Sequence, residues 1–204
     1  MKRRKQSVKA RVVAQAELPT RFGRFRIFGI QGRGPNEEAV AIQHGLVKNG
    51  AAPLVRVHSQ CLTGDVFTSE RCDCRAQLEY SLRKIAKEPA GIVLYLPQEG
   101  RGIGLINKLK AYELQDQGLD TVEANRRLGF AADSRDYDFA AAALKALGVK
   151  SVRLLSNNPD KIEQLGRGGV RVIQRVPCRP RTSHHSRHYL KTKQTKMGHL
   201  LADE

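Results

Sequence analysis

Strand-like and helix-like segments alternate along the body of this chain, and the alternation turns on GIVLYL at positions 91–96. A run that short, apolar and rich in branched side chains predicts a fully buried strand rather than a helix. PLVRVHS (53–59) precedes it as a second strand. Asp73 is placed to cap a helix whose apolar residues Leu78, Leu82 and Ile85 recur at helical spacing, with Pro89 and Gly91 closing it. After the buried strand come the loop PQEGRG and a helix from about Ile103 to Gln117, stopped by Gly118. A polar, turn-rich loop is expected up to Ser134. Then follow the helix DYDFAAAALKALG, the strand SVRLLS (151–156), the short helix PDKIEQLG with Pro159 in its first turn, and a last strand VRVIQR. Earlier strands fall around 24–31 and 38–43. The pattern predicts one α/β or α+β domain with no repeat or internal linker, and loose basic ends at about 1–8 and 178–204.

Three of the four cysteines, Cys61, Cys72 and Cys74, lie in RVHSQCLTGDVFTSERCDC at a C-x10-C-x-C spacing. Closed structural zinc sites take four protein ligands, whereas catalytic ones keep three and leave a corner for water. No fourth ligand lies nearby, so the spacing predicts an open, hydrolytic zinc site. Buried apolar thiols are the competing reading, but the surrounding Arg, Asp, Glu and Ser fit burial poorly. A disulfide is disfavoured because the start lacks the apolar run of a secretory signal.

The chain has 204 residues, enough to bury a core without staples, and its longest apolar runs are too short to span a bilayer. A soluble cytoplasmic protein is expected. Lysine and arginine number 36 against 20 acidic residues, a formal charge of +16 that points to a polyanionic partner. Composition does not choose between nucleic acid and nucleotide phosphates. Aromatic residues make up 5% with no tryptophan, which argues against stacking platforms for single strands. QEGRGIG follows the buried strand and opens a helix. Its glycines let backbone N–H groups approach an anion and Arg101 can fork onto a phosphate, yet it matches neither the dinucleotide nor the Walker pattern.

In order, RVHSQCLTGD, RCDCRAQLE, PQEGRGIGLINKLKAYELQDQGLDTVEAN, LGFAADSRDYDFAAAALKALGV, VRLLSNNPDKIE and YLKTKQTKMGHLL resemble the GTP cyclohydrolase II family of riboflavin synthesis. AELPTRFGRFRIF is similar to that family's opening strand, and the stand-alone form is expected. The resemblance implies that Cys61, Cys72 and Cys74 hold one Zn²⁺, whose activated water attacks C8 of guanine and releases formate. It places GTP against Arg56, Val57, His58, Ser59, Gln60, Gln77, Glu99, Gly100, Arg101, Thr121, Ser156 and Lys161. Tyr112 is implied in the ring opening. Asp133 and Arg135 are implied in the phosphate step, with pyrophosphate leaving as its Mg²⁺ complex. A homodimer without membrane attachment is implied as well.

Three positions depart from the family pattern: Gln60 where Glu is common, Arg75 where Gly is usual, and Ser156 where Thr is usual. Gln60 removes a carboxylate beside a zinc ligand, and Arg75 adds a cation and bulk beside Cys74. Cys178 with His184, His185 and His188 offers a second metal set, against which stands the simpler reading of solvated side chains in a basic tail. Two other functions compete with the nucleotide hydrolase. One is a zinc-containing nucleic-acid-binding module, motivated by the +16 charge. The other is a paralogue that stops at a formylated intermediate.

Overall fold

A computed structural model describes residues 8–34, 37–48, 50–131 and 133–180. Most of both basic ends, YLKTKQTKMGHLL, and His184, His185 and His188 lie outside the described residues. The strands are β1 (Arg11–Thr20), β2 (Gly23–Gln31), β3 (Glu38–His44), β4 (Leu54–Ser59), β5 (Gly91–Leu96), β6 (Ser151–Leu155) and β7 (Arg171–Val176). The helices are α1 (Cys74–Ile85), α2 (Leu105–Asp116), α3 (Thr121–Arg127), α4 (Asp138–Ala146) and α5 (Pro159–Arg167). All seven strands join one mixed sheet in the order β1-β2-β3-β5-β4-β6-β7. The β1-β2-β3-β5 half is antiparallel, and β5-β4-β6-β7 is parallel. Topology explains the division, because a tight turn can join antiparallel neighbours whereas parallel ones need a crossover, here carried by α1 and α5.

Period-two alternation on the central strands distributes the core to both faces. Val55, Val57, Ile92, Leu94, Val152 and Leu154 pack with Ala140, Ala141, Leu144 and Leu165 of α4 and α5. Leu54, Val93 and Leu155 turn the other way, onto Leu82 and Ile85 of α1 and onto Phe25. GIVLYL is thus covered on both sides, as its apolar run predicts, and the fold is α/β.

Two local expectations are corrected. Asp73 occupies the N-cap position of α1, but its side chain makes no capping bond; the carboxylate instead accepts from the Gln77 side chain. The stretch read as loop up to Ser134 contains α3, started by a capping box in which Asp120 accepts from the backbone of Val122 and Glu123 while Glu123 returns to the N–H of Asp120. β1, of which the sequence reading recognised only the end, pairs with β2 along nearly its whole length. Among the described residues no helix is long and apolar enough to cross a membrane.

β4, β5 and β6 run parallel; β4 and β5 end in register at Ser59 and Leu96, and β6 ends at Leu155, one residue past its pairing of Leu154 with Val55. The loops leaving these carboxyl ends carry most of the residues singled out from the sequence, which is where open parallel sheets place their sites.

Candidate active site

Beyond β4 the chain stays pinned to its neighbour: the Gln60 N–H donates to Leu96 O at 2.8 Å, and Ser59 Oγ donates to Gln98 Oε1 at 3.0 Å. The next five residues, Leu62–Val66, coil into a wide helical turn. Asp65 anchors it. Its buried carboxylate accepts from the Cys61 N–H at 3.1 Å, Tyr95 Oη at 2.9 Å and His58 Nε2 at 3.1 Å. Burial drives the His58 imidazole below its ordinary value of 6.5, outweighing the pull of Asp65 the other way.

The turn delivers Cys61 to Cys72 and Cys74 at the start of α1, where the three Sγ atoms lie within 4.8 Å of one another. Cys61 and Cys72 sulfurs are 3.6 Å apart and all are free thiols. Sulfurs on a tetrahedral zinc, each about 2.3 Å from the metal, sit roughly 3.8 Å from one another, so the cluster has the span such an ion needs. Backbone makes room for it. A Cβ on Gly64 would lie 2.9 Å from Cys72 Sγ and 3.2 Å from Cys61 Sγ, so a side chain there would occupy the thiol cluster. Hydrogen bonds from Cys72 and Cys74 hold Cys61 far below an ordinary thiol, with Lys108 adding its charge. The donor Cys72 is pushed up to about 11 in return, and Cys74 is raised well above the ordinary value, chiefly by its bonds to Cys61 and Cys72. One anionic and two protonated thiols describe a metal-free set that would release protons on binding a cation. No other such ligand group occurs among the described residues.

These thiols floor one end of a cleft with an empty volume of about 650 Å³. The turn Glu99–Gly102 forms another wall. Gly100 and Arg101 both adopt left-handed backbone, with φ of 62° and 61°. For arginine this costs on the order of 1–2 kcal/mol, and the turn is held by Ser134, whose N–H donates to Arg101 O at 3.1 Å. Glu99 is engaged inward, accepting from the Leu62 N–H at 2.6 Å, the Gly100 N–H at 2.9 Å and Lys108 Nζ at 2.7 Å.

Tyr112 faces the cleft from α2, its hydroxyl 3.2 Å from Thr63 Oγ1, and the Arg71 guanidinium lies 4.8 Å over its ring. Burial raises the Tyr112 phenol above its ordinary value, so it stays protonated near neutrality. Arg135 also lines the cleft, clamped through Nε at 2.8 Å and Nη2 onto the two oxygens of Asp133. Burial pushes the Asp133 carboxyl up, but the bonds and charge of Arg135 more than offset it, leaving it below the ordinary range.

The residues singled out from sequence fall into two groups. Ser59, Gln60, the three cysteines, Glu99, Gly100, Arg101, Tyr112, Thr121 and Arg135 line the cleft. Arg56, Val57, His58, Gln77, Asp133, Ser156 and Lys161 are not among its lining residues. Arg56 donates to Leu155 O at 3.1 Å and to Gln77 Oε1. Lys161 Nζ donates to the Val57 carbonyl at 2.7 Å and sits 5.2 Å over the Tyr137 ring, and Ser156 Oγ accepts from the Asn158 N–H at 3.1 Å. Arg75 bonds Glu79 at 3.0 Å along α1 and reaches the Asp65 carbonyl at 3.5 Å, so its bulk points away from the cleft. Cys178 is buried with its backbone bonded on both sides to the Asn157 side chain, at 3.0 and 2.7 Å.

Sequence reasoning missed Asp65, Lys108 and Asn125. Lys108 precedes Tyr112 by four residues, so the helical period that singles out Tyr112 also marks Lys108. Asn125 follows from the α3 capping box once that helix is recognised.

A protein from Hahella chejuensis named GTP cyclohydrolase-2 is 53% identical over 93% of this chain and 91% of its own length. A Vibrio vulnificus protein named riboflavin biosynthesis protein VVA0006 is 49% identical over 93% of this chain and 52% of its own. A solved two-domain 3,4-dihydroxy-2-butanone 4-phosphate synthase from A. baumannii aligns at TM-score 0.41 and 17% identity over 75% of this chain and 35% of that one, too distant to bear on the site. The profile of the GTP cyclohydrolase II family matches residues 10–177, nearly all of the described chain, and the protein belongs to that family.

Proposed function

We propose that this protein converts GTP and water to formate, pyrophosphate and 2,5-diamino-6-(5-phosphoribosylamino)pyrimidin-4(3H)-one, the opening step of riboflavin synthesis, with one Zn²⁺ per chain on Cys61, Cys72 and Cys74. The observation that carries the reading is the meeting in one cleft of the three-thiol cluster, Tyr112 and the Arg135–Asp133 clamp. When bound, zinc supplies Lewis acidity, activating water at neutral pH. Everything else falls to the chain. Glu99 holds the turn that presents Arg101 and its neighbouring N–H groups to an anionic substrate. The protonated Tyr112 hydroxyl donates a proton to the nitrogen that leaves C8.

Arg135 stabilises charge on the phosphoryl group, Asp133 fixes its plane, and water attacks; a bound Mg²⁺ would supply further charge stabilisation to the departing pyrophosphate. The alternative, attack on phosphorus by the guanidinium itself, requires a group that stays protonated in proteins to act as nucleophile while Asp133 holds it charged. Arg56, Gln77, Ser156 and Lys161 enter as supports behind the nucleotide, with Val57 and His58 carrying the strand between them. A cytoplasmic homodimer completes the proposal.

Incubation with GTP, Zn²⁺ and Mg²⁺, with formate and pyrophosphate assayed separately, tests it. Release of both supports the reading. Pyrophosphate without formate identifies the enzyme that stops at a formylated intermediate, and no turnover with steeply salt-dependent nucleic-acid binding identifies the binding module. Arg135→Ala is expected to abolish pyrophosphate release with zinc retained; undiminished release would refute the phosphoryl role. A nucleotidyl adduct on Arg135 in mass spectra would establish the guanidinium as nucleophile.

A further inference from the structure

Lys108 is buried at 8% exposure, stands on α2, and donates from Nζ to Cys61 Sγ at 3.2 Å and to Glu99 Oε1 at 2.7 Å. Its ammonium also lies 5.7 Å from the Tyr112 ring centroid. No other ammonium among the described residues bonds a cluster sulfur, and the same nitrogen reaches the turn that begins at Glu99. Burying a lysine is costly unless partners compensate, so its placement between a sulfur and a carboxylate calls for a reason.

Charge supplies one. Three thiolates around a divalent ion leave the set with one net negative charge, which weakens the ion's pull on electrons from any further ligand. A cation bonded to one sulfur restores neutrality and draws electron density from that sulfur. Groups bonded to metal ligands tune a metal in this way even though they never touch it.

We propose that Lys108 is a positioning residue that neutralises the thiolate set through Cys61, raising the Lewis acidity of the bound metal, and ties that set to the Glu99 turn. The inference rests on the three-cysteine metal reading above.

Both are tested on protein with Co²⁺ in place of zinc. Sulfur-to-cobalt charge-transfer absorption in the wild-type protein is expected, and its absence would overturn the metal reading itself. With that band present, Lys108→Met is expected to keep cobalt stoichiometrically but to move the band to longer wavelength, because a sulfur without its cationic donor gives up electrons more easily. Lys108→Arg should hold the band near its wild-type position. An unmoved band in folded Lys108→Met, even with activity lost, would place the lysine on the substrate instead and overturn the inference, as would loss of cobalt from the folded variant. Should the methionine variant not fold, Lys108→Gln is read by the same criteria.

Discussion

Gly64 shows how much a single residue can decide, because its importance comes from an atom it lacks. A Cβ there would stand 2.9 Å from Cys72 Sγ and 3.3 Å from Cys74 Cβ, inside normal contact, so Gly64→Ala must displace a thiol. The three nearest atoms to that position all belong to the cysteines of the cluster. Zinc affinity is therefore expected to fall on the order of 10–100-fold, the range seen when groups around a metal site are disturbed. Thermal unfolding of the metal-free protein should change little, and unchanged zinc affinity by chelator competition would show that the cluster can yield. Tyr112 offers the complementary case, in which the deleted atom is the hydroxyl near Thr63 Oγ1. Tyr112→Phe should cut formate release by roughly 10²–10⁴ with the fold and GTP binding kept, the span for a positioned acid. Formate release at the wild-type rate would return the tyrosine to a packing role.

Elements differ in how far the sequence announces them. β5 was legible because burial on both faces leaves a continuous apolar run, and α4 because DFAAAALKA repeats small apolar residues over more than two turns. α3 was not. Its seven residues, TVEANRR, are mostly polar and too short to display a period, and the signal lay in the cap, Asp120 followed at three residues by Glu123. The same limit applied to the site. Cysteine spacing exposed the metal cluster, but nothing local shows that Asp65 would join Tyr95 to its near neighbours His58 and Cys61, since the Tyr95 bond exists only after β4 and β5 pair. The cap gives α3 a direct test. Asp120→Ala removes an acceptor for two backbone N–H groups and should cost about 1 kcal/mol. Because α3 carries Thr121 and Asn125 to the cleft, KM for GTP should rise more than kcat falls. A variant with lowered stability but wild-type KM would detach α3 from substrate binding.

For the molecule as a whole, the buried His58 links the fold to pH. Burial lowers its pKa beneath the ordinary 6.5, so between the folded value and 6.5 the unfolded chain binds a proton that the native protein refuses. Stability must then rise with pH through that window, by at most about 1.4 kcal/mol per pH unit for one proton, and be complete above it. Asp133 and Glu79 are lowered from ordinary values of 3.8 and 4.5, so their contributions are lost only in stronger acid. Cys61, held far below its ordinary 9.0, adds a slope of the same sign across the whole range, and between pH 5 and 6.5 the histidine adds its own to it. Urea unfolding at intervals across that range should show stability declining as pH falls. His58→Gln keeps an N–H donor for Asp65 but cannot titrate, and its curve should be flatter between pH 5 and 6.5, whatever its absolute stability. A variant whose slope matches that of the wild type would remove His58 as the source of the dependence.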